Sequence, residues 1–168
     1  MRGMIRRARP DDVPVILRLV RDLAEYERAR DDAIATEEQL GDALFGSDPA
    51  VFAHVAEYQG AVVGFAMWFL NYSTWTGCHG IYLEDLYVDP AARGHGLGKA
   101  LLATLASICI DRGYTRLQWS VLDWNSPAIG FYESVGAVPM SDWIAYRMAG
   151  NALAHLAASG LDAATVVP

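Results

Sequence analysis

The sequence predicts a single domain of mixed α/β type, and two stretches of the chain carry that prediction. Residues 51–58 and 61–72 are strand-like and flank Gln59-Gly60, a turn pair typical of a β-hairpin. Residues 81–88 form another strand-like segment, and a glycine-rich stretch joins it to apolar residues at helical spacing. With 168 residues, of which 53% are hydrophobic, the chain is long enough to bury one sizeable core.

The first part of the chain adds one strand and two helices to this core. Residues 4–8 predict a strand, and Pro10-Asp11-Asp12 opens a helix. The helix carries one apolar stripe, formed by Val13, Ile16, Leu17, Val20, Leu23 and Ala24. Residues 36–39, with the sequence Thr-Glu-Glu-Gln, form a capping box, which predicts the start of a second helix.

The second part of the chain alternates helices with strands. The helix after the glycine-rich stretch ends at Arg112-Gly113, a basic last turn followed by a glycine stop. Ser126-Pro127 is expected to cap a short helix that ends at Gly136. The other predicted elements are a strand over residues 117–122, closing strand material over residues 138–148, a terminal helix over residues 151–158 and a frayed tail over residues 160–168.

Charge and composition exclude several classes of protein. Thirteen basic against twenty acidic residues give a net charge of −7, which disfavours a nucleic-acid partner and mildly favours cationic substrates. The longest apolar run, residues 61–70, is too short to span a membrane, and no secretory signal is expected. Cys78 and Cys109 are too few for a disulfide framework, so a cytoplasmic location is expected, and neither has spacing that suggests a metal site.

The most informative motif is the glycine loop, residues 93–99, with the sequence Arg-Gly-His-Gly-Leu-Gly-Lys. The helix that follows lacks a capping Ser, Thr, Asp or Asn, so its first N–H groups are left for an anion such as a pyrophosphate. A Walker loop is excluded because its glycine and Ser/Thr positions hold Arg93 and Ala100. The match to a dinucleotide-binding fingerprint is weak, because Lys99 stands at the position of the third glycine. A tight strand-to-helix turn without a ligand stays open.

Two carboxylates, Glu84 and Asp85, interrupt an otherwise apolar strand. Burying carboxylates is costly unless they are paired or wet, so one of them is expected to face a cavity. Successive side chains of a strand point to opposite faces, so both can face the same pocket only where the strand bulges. For Asp85, an edge carboxylate bonded to a neighbouring loop is an alternative.

The motif Arg93-x-x-Gly96-x-Gly98, placed between a strand and a helix, resembles the acetyl-CoA signature of the GNAT superfamily of N-acetyltransferases. Further segments are similar, in the same order, to the diamine (spermidine/spermine) acetyltransferase branch. They are residues 23–27, residues 63–67, residues 82–85, residues 124–127, and Phe131-Tyr132 with Gly136-Ala137. The resemblance covers about residues 4–150 and implies one N-acetyltransferase domain over residues 1–168. Its fold would be GNAT-like, with a central, mostly antiparallel mixed sheet flanked by helices.

The resemblance implies that acetyl-CoA is the co-substrate and that acetyl passes directly to a primary amine in a ternary complex, without a metal. It implies roles for two catalytic residues: Glu84 holds or deprotonates the amine, and Tyr132 protonates the departing thiolate. A core tyrosine is the alternative for Tyr132, which shares a helical face with Ile129 and Val135. The implied acetyl-CoA contacts are Leu86, Tyr87, Val88, Arg93, Gly94, His95, Gly96, Leu97, Gly98, Lys99, Ala100, Asn125 and Tyr132.

On the substrate side, the resemblance implies contacts to an amine from Tyr26, Glu27, Trp75, Glu84, Asp85 and Trp143. The chain departs from the branch at Ser73-Thr74, where an acidic residue and a proline are usual, and this departure favours short amines over polyamines. It departs again at residues 133–135, which puts one phosphate contact in doubt. The acceptor is expected to be a diamine, a polyamine or a lysine-like amino acid, and the protein is expected to be a homodimer.

Two other functions stay open at this point. A protein of the same fold can bind acyl-CoA without catalysis, as a sensor or interaction module. An enzyme of the same fold can instead acetylate a protein N-terminus or lysine, which would favour an open groove over an acidic pocket.

Overall fold

The computed structural model describes residues 3–160, and the chain divides after Phe131 into two compact units. The first unit contains a five-stranded sheet in the order β1-β2-β3-β4-β5, antiparallel except for the parallel pair β4–β5. The strands are β1 (Met4–Arg7), β2 (Phe52–Tyr58), β3 (Ala61–Ser73), β4 (Cys78–Val88) and β5 (Leu117–Gln118). The helices are α1 (Val13–Tyr26), α2 (Glu37–Phe45), α3 (Leu97–Arg112), α4 (Ser126–Ser134), which crosses the division, and α5 (Gly150–Ala158) of the second unit. The predicted mixed α/β fold is confirmed.

Local signals in the sequence explain where most elements begin and end. Gln59 and Gly60 both have left-handed backbones, with φ of 54° and 83°, as the tight β2–β3 hairpin requires. The side chain of Thr36 accepts a hydrogen bond from the N–H of Gln39, which closes the predicted capping box at the start of α2. Gly113 is left-handed and ends α3 as predicted.

The core between α1 and the sheet fixes which face of β4 each residue occupies. Ile16 and Leu19 of α1 pack in one buried cluster with Phe65, Met67 and other apolar residues of the sheet. Residues paired directly across neighbouring strands share a face. Because Asp85 is paired with Met67, its side chain lies on the face that α1 covers.

Three predicted boundaries are wrong. Over residues 117–122 only Leu117–Gln118 is a strand, because pairing with β4 stops at Tyr82, just before β4 bulges; a bulge bends its strand. Residues 138–148 form no strand, because the described part of the second unit offers no other strand as a hydrogen-bonding partner. Asn125, not Ser126, caps α4: its Oδ1 accepts from the N–H of Ala128, at 3.3 Å.

The predicted tail lies almost wholly outside the described residues, since residues 161–168 are not described. Among the described residues, none of the helices combines the length and apolar character needed to cross a membrane.

Candidate active site

The site is organised around the point where β4 parts from β5. The last pair between them is Tyr82 with Gln118, but β4 continues to Val88. On one edge, Leu83 and residues 85–88 pair with β3; on the other edge, within the described residues, residues 83–88 have no strand partner. Leu86, Tyr87 and Val88, predicted to contact acetyl-CoA, belong to this open segment. An open strand edge offers N–H and C=O groups to an extended ligand.

The glycine loop follows directly and ends at the first turn of α3. Gly94 and Gly96 are left-handed, with φ of 80° and 76°, which explains why glycine stands at both positions. Gly96 is the N-cap of α3 and no side chain caps the helix, as predicted. The first amides of α3 are therefore available to a phosphate, and this loop fits the pyrophosphate of an acyl-CoA.

Arg93 joins the glycine loop to the open strand. Its Nε donates a hydrogen bond to the carbonyl oxygen of Val88, at 2.9 Å. Its guanidinium carbon lies 5.5 Å from the ring centroid of Tyr87 and 5.5 Å from that of Tyr26, at the end of α1. These contacts bring the start of the loop, the open strand and the end of α1 together.

The carboxylates near the opening form an acidic cluster, defined as Glu27, Glu84 and Asp85. Burial, together with the negative charges of Glu84 and Glu27, raises the pKa of Asp85 to about 6. Burial also raises the pKa of Glu27, the residue that follows α1. The end of α1 and the middle of β4 therefore bring these carboxylates within electrostatic reach of each other, which suits a site that attracts a cation.

A β-bulge places the two neighbouring carboxylates differently. Asp85 is paired with Met67 and Leu83 with Trp68, so Glu84 is the extra residue of β4. Because successive side chains of a strand point to opposite faces, both carboxylates can face one pocket only at such a bulge. Glu84 is exposed and Asp85 half-buried, so Asp85 is the carboxylate with the perturbed environment. The sequence contains no signal that separates the two, because the bulge depends on tertiary pairing.

Tyr26 connects the end of α1 to the start of α4. Its hydroxyl donates a hydrogen bond to Oδ1 of Asn125, at 3.1 Å, and its ring lies 6.1 Å from that of Trp124. Asn125 is 7% exposed and also caps α4, as described above. The resemblance implies that Tyr26 contacts the amine and that Asn125 contacts acetyl-CoA. In the structure the two side chains are hydrogen-bonded to each other. Tyr26 and Tyr87 also line a cavity of about 350 Å³, together with Asp22, Glu25, Asp89 and Pro90.

Trp75 lies apart from the other predicted substrate residues. It stands in the turn between β3 and β4 and is 88% exposed. The strand from Cys78 to Asp85 already spans about 23 Å at the usual rise per residue. Within one chain, the structure therefore does not bring Trp75 to the acidic cluster.

Tyr132 and Trp143 belong to the second unit. Tyr132 lies on α4, and its carbonyl oxygen accepts hydrogen bonds from the N–H groups of Val135 and Ala137, at 3.2 and 3.1 Å. The N–H of Trp143 donates to the carbonyl oxygen of Met140, at 3.1 Å. The catalytic and substrate roles of these two side chains stay predictions.

The described residues contain no cluster of His, Cys, Asp or Glu side chains that could hold a metal ion. The groups that the structure brings together at the site are backbone amides, aromatic rings, carboxylates and the Arg93 guanidinium. Such groups can bind an anion at the glycine loop and a cation at the acidic cluster.

Comparison with known proteins shows which protein family the chain belongs to. Residues 16–137 match the acetyltransferase (GNAT) family. The structure superposes on an integron cassette protein of V. cholerae with a TM-score of 0.79 and 31% sequence identity, covering 95% of this chain and 99% of that one. The chain therefore belongs to the acetyltransferase (GNAT) family.

Two curated relatives narrow the activity. A thialysine N-epsilon-acetyltransferase of Bos taurus is 39% identical over 165 residues, covering 92% of this chain and 96% of the relative. An L-ornithine N5-acetyltransferase of Arabidopsis thaliana is 30% identical, covering 91% of this chain and 87% of the relative. The protein is an acetyl-CoA-dependent N-acetyltransferase, as the resemblance implied.

Proposed function

We propose that the protein transfers acetyl from acetyl-CoA directly to a primary amine of a small cationic molecule, either a diamine or a lysine-like amino acid. The observation that carries this proposal is the acidic cluster beside the open edge of β4, with the pKa of Asp85 at about 6. The relatives support it, since their names specify the amines of thialysine and ornithine.

The glycine loop and the open edge of β4 hold acetyl-CoA. The amides from Gly96 onward, without a side-chain cap, take the pyrophosphate, and residues 86–88 take the pantetheine arm along the free edge. Acetyl-CoA supplies the acetyl group as a thioester. Holding both substrates together supplies much of the rate, because the reaction becomes effectively unimolecular.

The acidic cluster prepares the amine. Glu84 and Glu27 attract the ammonium, and Asp85 accepts its proton, because an alkylammonium ion is not nucleophilic. A base with a pKa of about 6 is largely ionised at neutral pH and close enough to it to exchange protons with water. The neutral amine then forms the N–C bond as the C–S bond breaks. The thiolate leaves as free CoA after Tyr132 protonates it, and the second proton of the new amide nitrogen returns to the Tyr132 phenolate.

Tyr132 keeps the role that the resemblance implies, protonation of the departing thiolate. We expect Tyr132→Phe to lower kcat about a hundredfold, because only the donor hydroxyl is lost. Calorimetry should find CoA affinity unchanged. A kcat equal to that of the parent, where chemistry limits the rate, would reduce Tyr132 to a packing residue.

An amine panel with acetyl-CoA, followed by release of free CoA, tests the function itself. The panel contains lysine, ornithine, 1,5-diaminopentane, 1,4-diaminobutane, spermidine and a lysine-containing peptide. We expect the basic amino acids or the short diamines to react fastest. Reaction of the peptide alone would make the protein a peptide acetyltransferase, and CoA binding without turnover of any amine would make it a binding module.

A further inference from the structure

Arg28 adopts a backbone conformation that few residues other than glycine use. It follows Glu27 at the end of α1 and has a φ of 62°. For a non-glycine residue the left-handed region is strained, because the Cβ atom comes close to the following carbonyl oxygen. The surrounding turn holds it there, with hydrogen bonds from the Arg28 N–H to the carbonyl oxygen of Glu25, at 3.1 Å, and from Ala29 to Ala24, at 2.8 Å. Such conformations cluster at ligand-binding sites.

The guanidinium of Arg28 has an aromatic partner and, among residues 3–160, no acidic one. Its central carbon lies 4.9 Å from the ring centroid of Trp124. Within the part of the chain that the structure describes, no carboxylate forms a salt bridge with it. By contrast, Arg30, two residues further on, pairs with Glu25 at 2.9 Å. In a chain with a net charge of −7, a guanidinium without an acidic partner is free to bind an anion.

Arg28 also stands next to the acidic cluster. Glu27 precedes it directly, and the charge of Glu27 raises the pKa of Asp85. Trp124, on which Arg28 stacks, lies against Tyr26. Arg28 therefore directly follows one carboxylate of the acidic cluster, at the end of α1 where Trp124 meets Tyr26. This order of charges matches a molecule that carries an ammonium at one end and a carboxylate at the other.

We propose that Arg28 binds the α-carboxylate of the acceptor, so that the acceptor is a basic amino acid rather than a diamine. This inference rests on the proposed function, since it assumes that the acidic cluster receives the amine. A guanidinium can bind a carboxylate with two parallel hydrogen bonds, and the same positive charge repels the second ammonium of a diamine. Arg28 thus favours one class of amine and disfavours the other.

Lysine and 1,5-diaminopentane test this proposal as a matched pair, because they differ only in the carboxylate. The quantity measured is the ratio of kcat/KM for lysine to kcat/KM for the diamine; ornithine and 1,4-diaminobutane form a second pair. We expect the parent to prefer the amino acid and Arg28→Gln to lower the ratio roughly 10- to 100-fold. Arg28→Lys, which keeps a charge but not the planar fork, should give an intermediate ratio.

Arg30→Gln is the control variant, because it removes a nearby guanidinium that is already paired with Glu25. It should leave the ratio unchanged. Calorimetry with CoA shows whether each variant keeps a folded acetyl-CoA site. If the parent acetylates the diamine as readily as lysine, or if Arg28→Gln keeps the parental ratio, Arg28 does not bind the carboxylate of the acceptor. Neither result contradicts the proposed function. A parent that acetylates neither amine would overturn the proposed function and this inference with it.

Discussion

Gly98→Val is expected to weaken acetyl-CoA binding about a hundredfold or more while the protein stays folded. Gly98 lies in the first turn of α3, at the uncapped helix start that we assign to the pyrophosphate. A Cβ at this position would meet only the ring of Phe131, at 3.8 Å, which is an ordinary contact. The Cβ atom itself is therefore tolerated by the protein, whereas the added branched side chain would occupy space needed by the phosphates. Calorimetric titration with CoA measures the effect.

The choice of Gly98 depends on the structure. Gly96 belongs to the same motif, but its φ of 76° makes any larger residue strained, so loss of binding there would not separate the ligand from the fold. Gly41→Val is a suitable control, because Gly41 lies within α2 and a Cβ there meets nothing within 4 Å. If Gly98→Val and Gly41→Val both bind CoA like the parent, the glycine loop does not hold the phosphates.

Asp85→Asn is expected to lower kcat about 10²- to 10⁴-fold and, at neutral pH, to stabilise the protein. The folded protein raises the pKa of Asp85 from 3.8 to about 6, so it binds this proton more tightly than the unfolded chain does. Stability therefore falls as the pH rises from about 4 to 6, and the ionised carboxylate destabilises the fold above that range. Replacing it with a neutral amide removes a cost on the order of 2–3 kcal/mol.

Denaturant unfolding at pH 7.5 and at pH 4 measures the second effect. The gain in the free energy of unfolding should be present at pH 7.5 and small at pH 4, where Asp85 is protonated in the folded parent. Glu84→Gln is the matched control, because Glu84 is exposed; it should change stability little. If Asp85→Asn has the parental turnover, another group activates the amine. If this variant is less stable than the parent at pH 7.5, the ionised carboxylate of Asp85 does not destabilise the fold.

The sequence predicts well those features that local chemistry determines. The Gln59-Gly60 hairpin depends on two left-handed residues, and the start of α2 on the Thr36 cap. The glycine loop likewise depends on neighbours in sequence, so its strand, turn and uncapped helix follow from a short motif. The sequence also predicts that Glu84 and Asp85 can face one pocket only where the strand bulges.

The features that the sequence does not predict depend on tertiary pairing. The length of β5 follows from where β4 bulges, and that position depends on the register with β3. The difference in burial between Glu84 and Asp85 has the same origin. The sequence does not single out Arg28, because none of its neighbours in sequence indicates a left-handed backbone or a contact with Trp124. Trp75 lies just before β4 in sequence and Asp85 lies within it, yet the length of the strand separates them.

In the proposed reaction the acidic cluster receives an ammonium ion and Asp85 takes its proton. The most direct test is the pH dependence of kcat/KM for the best amine, from pH 5 to pH 10.5, in the parent and in Asp85→Asn. If Asp85 is the base, the parent's kcat/KM rises through a pKa of about 6, that of Asp85 in the free enzyme, and this rise is absent in the variant. A parent whose kcat/KM rises only through the amine's own pKa, roughly 10, would contradict this role of Asp85, because the enzyme would then be selecting neutral amine from solution.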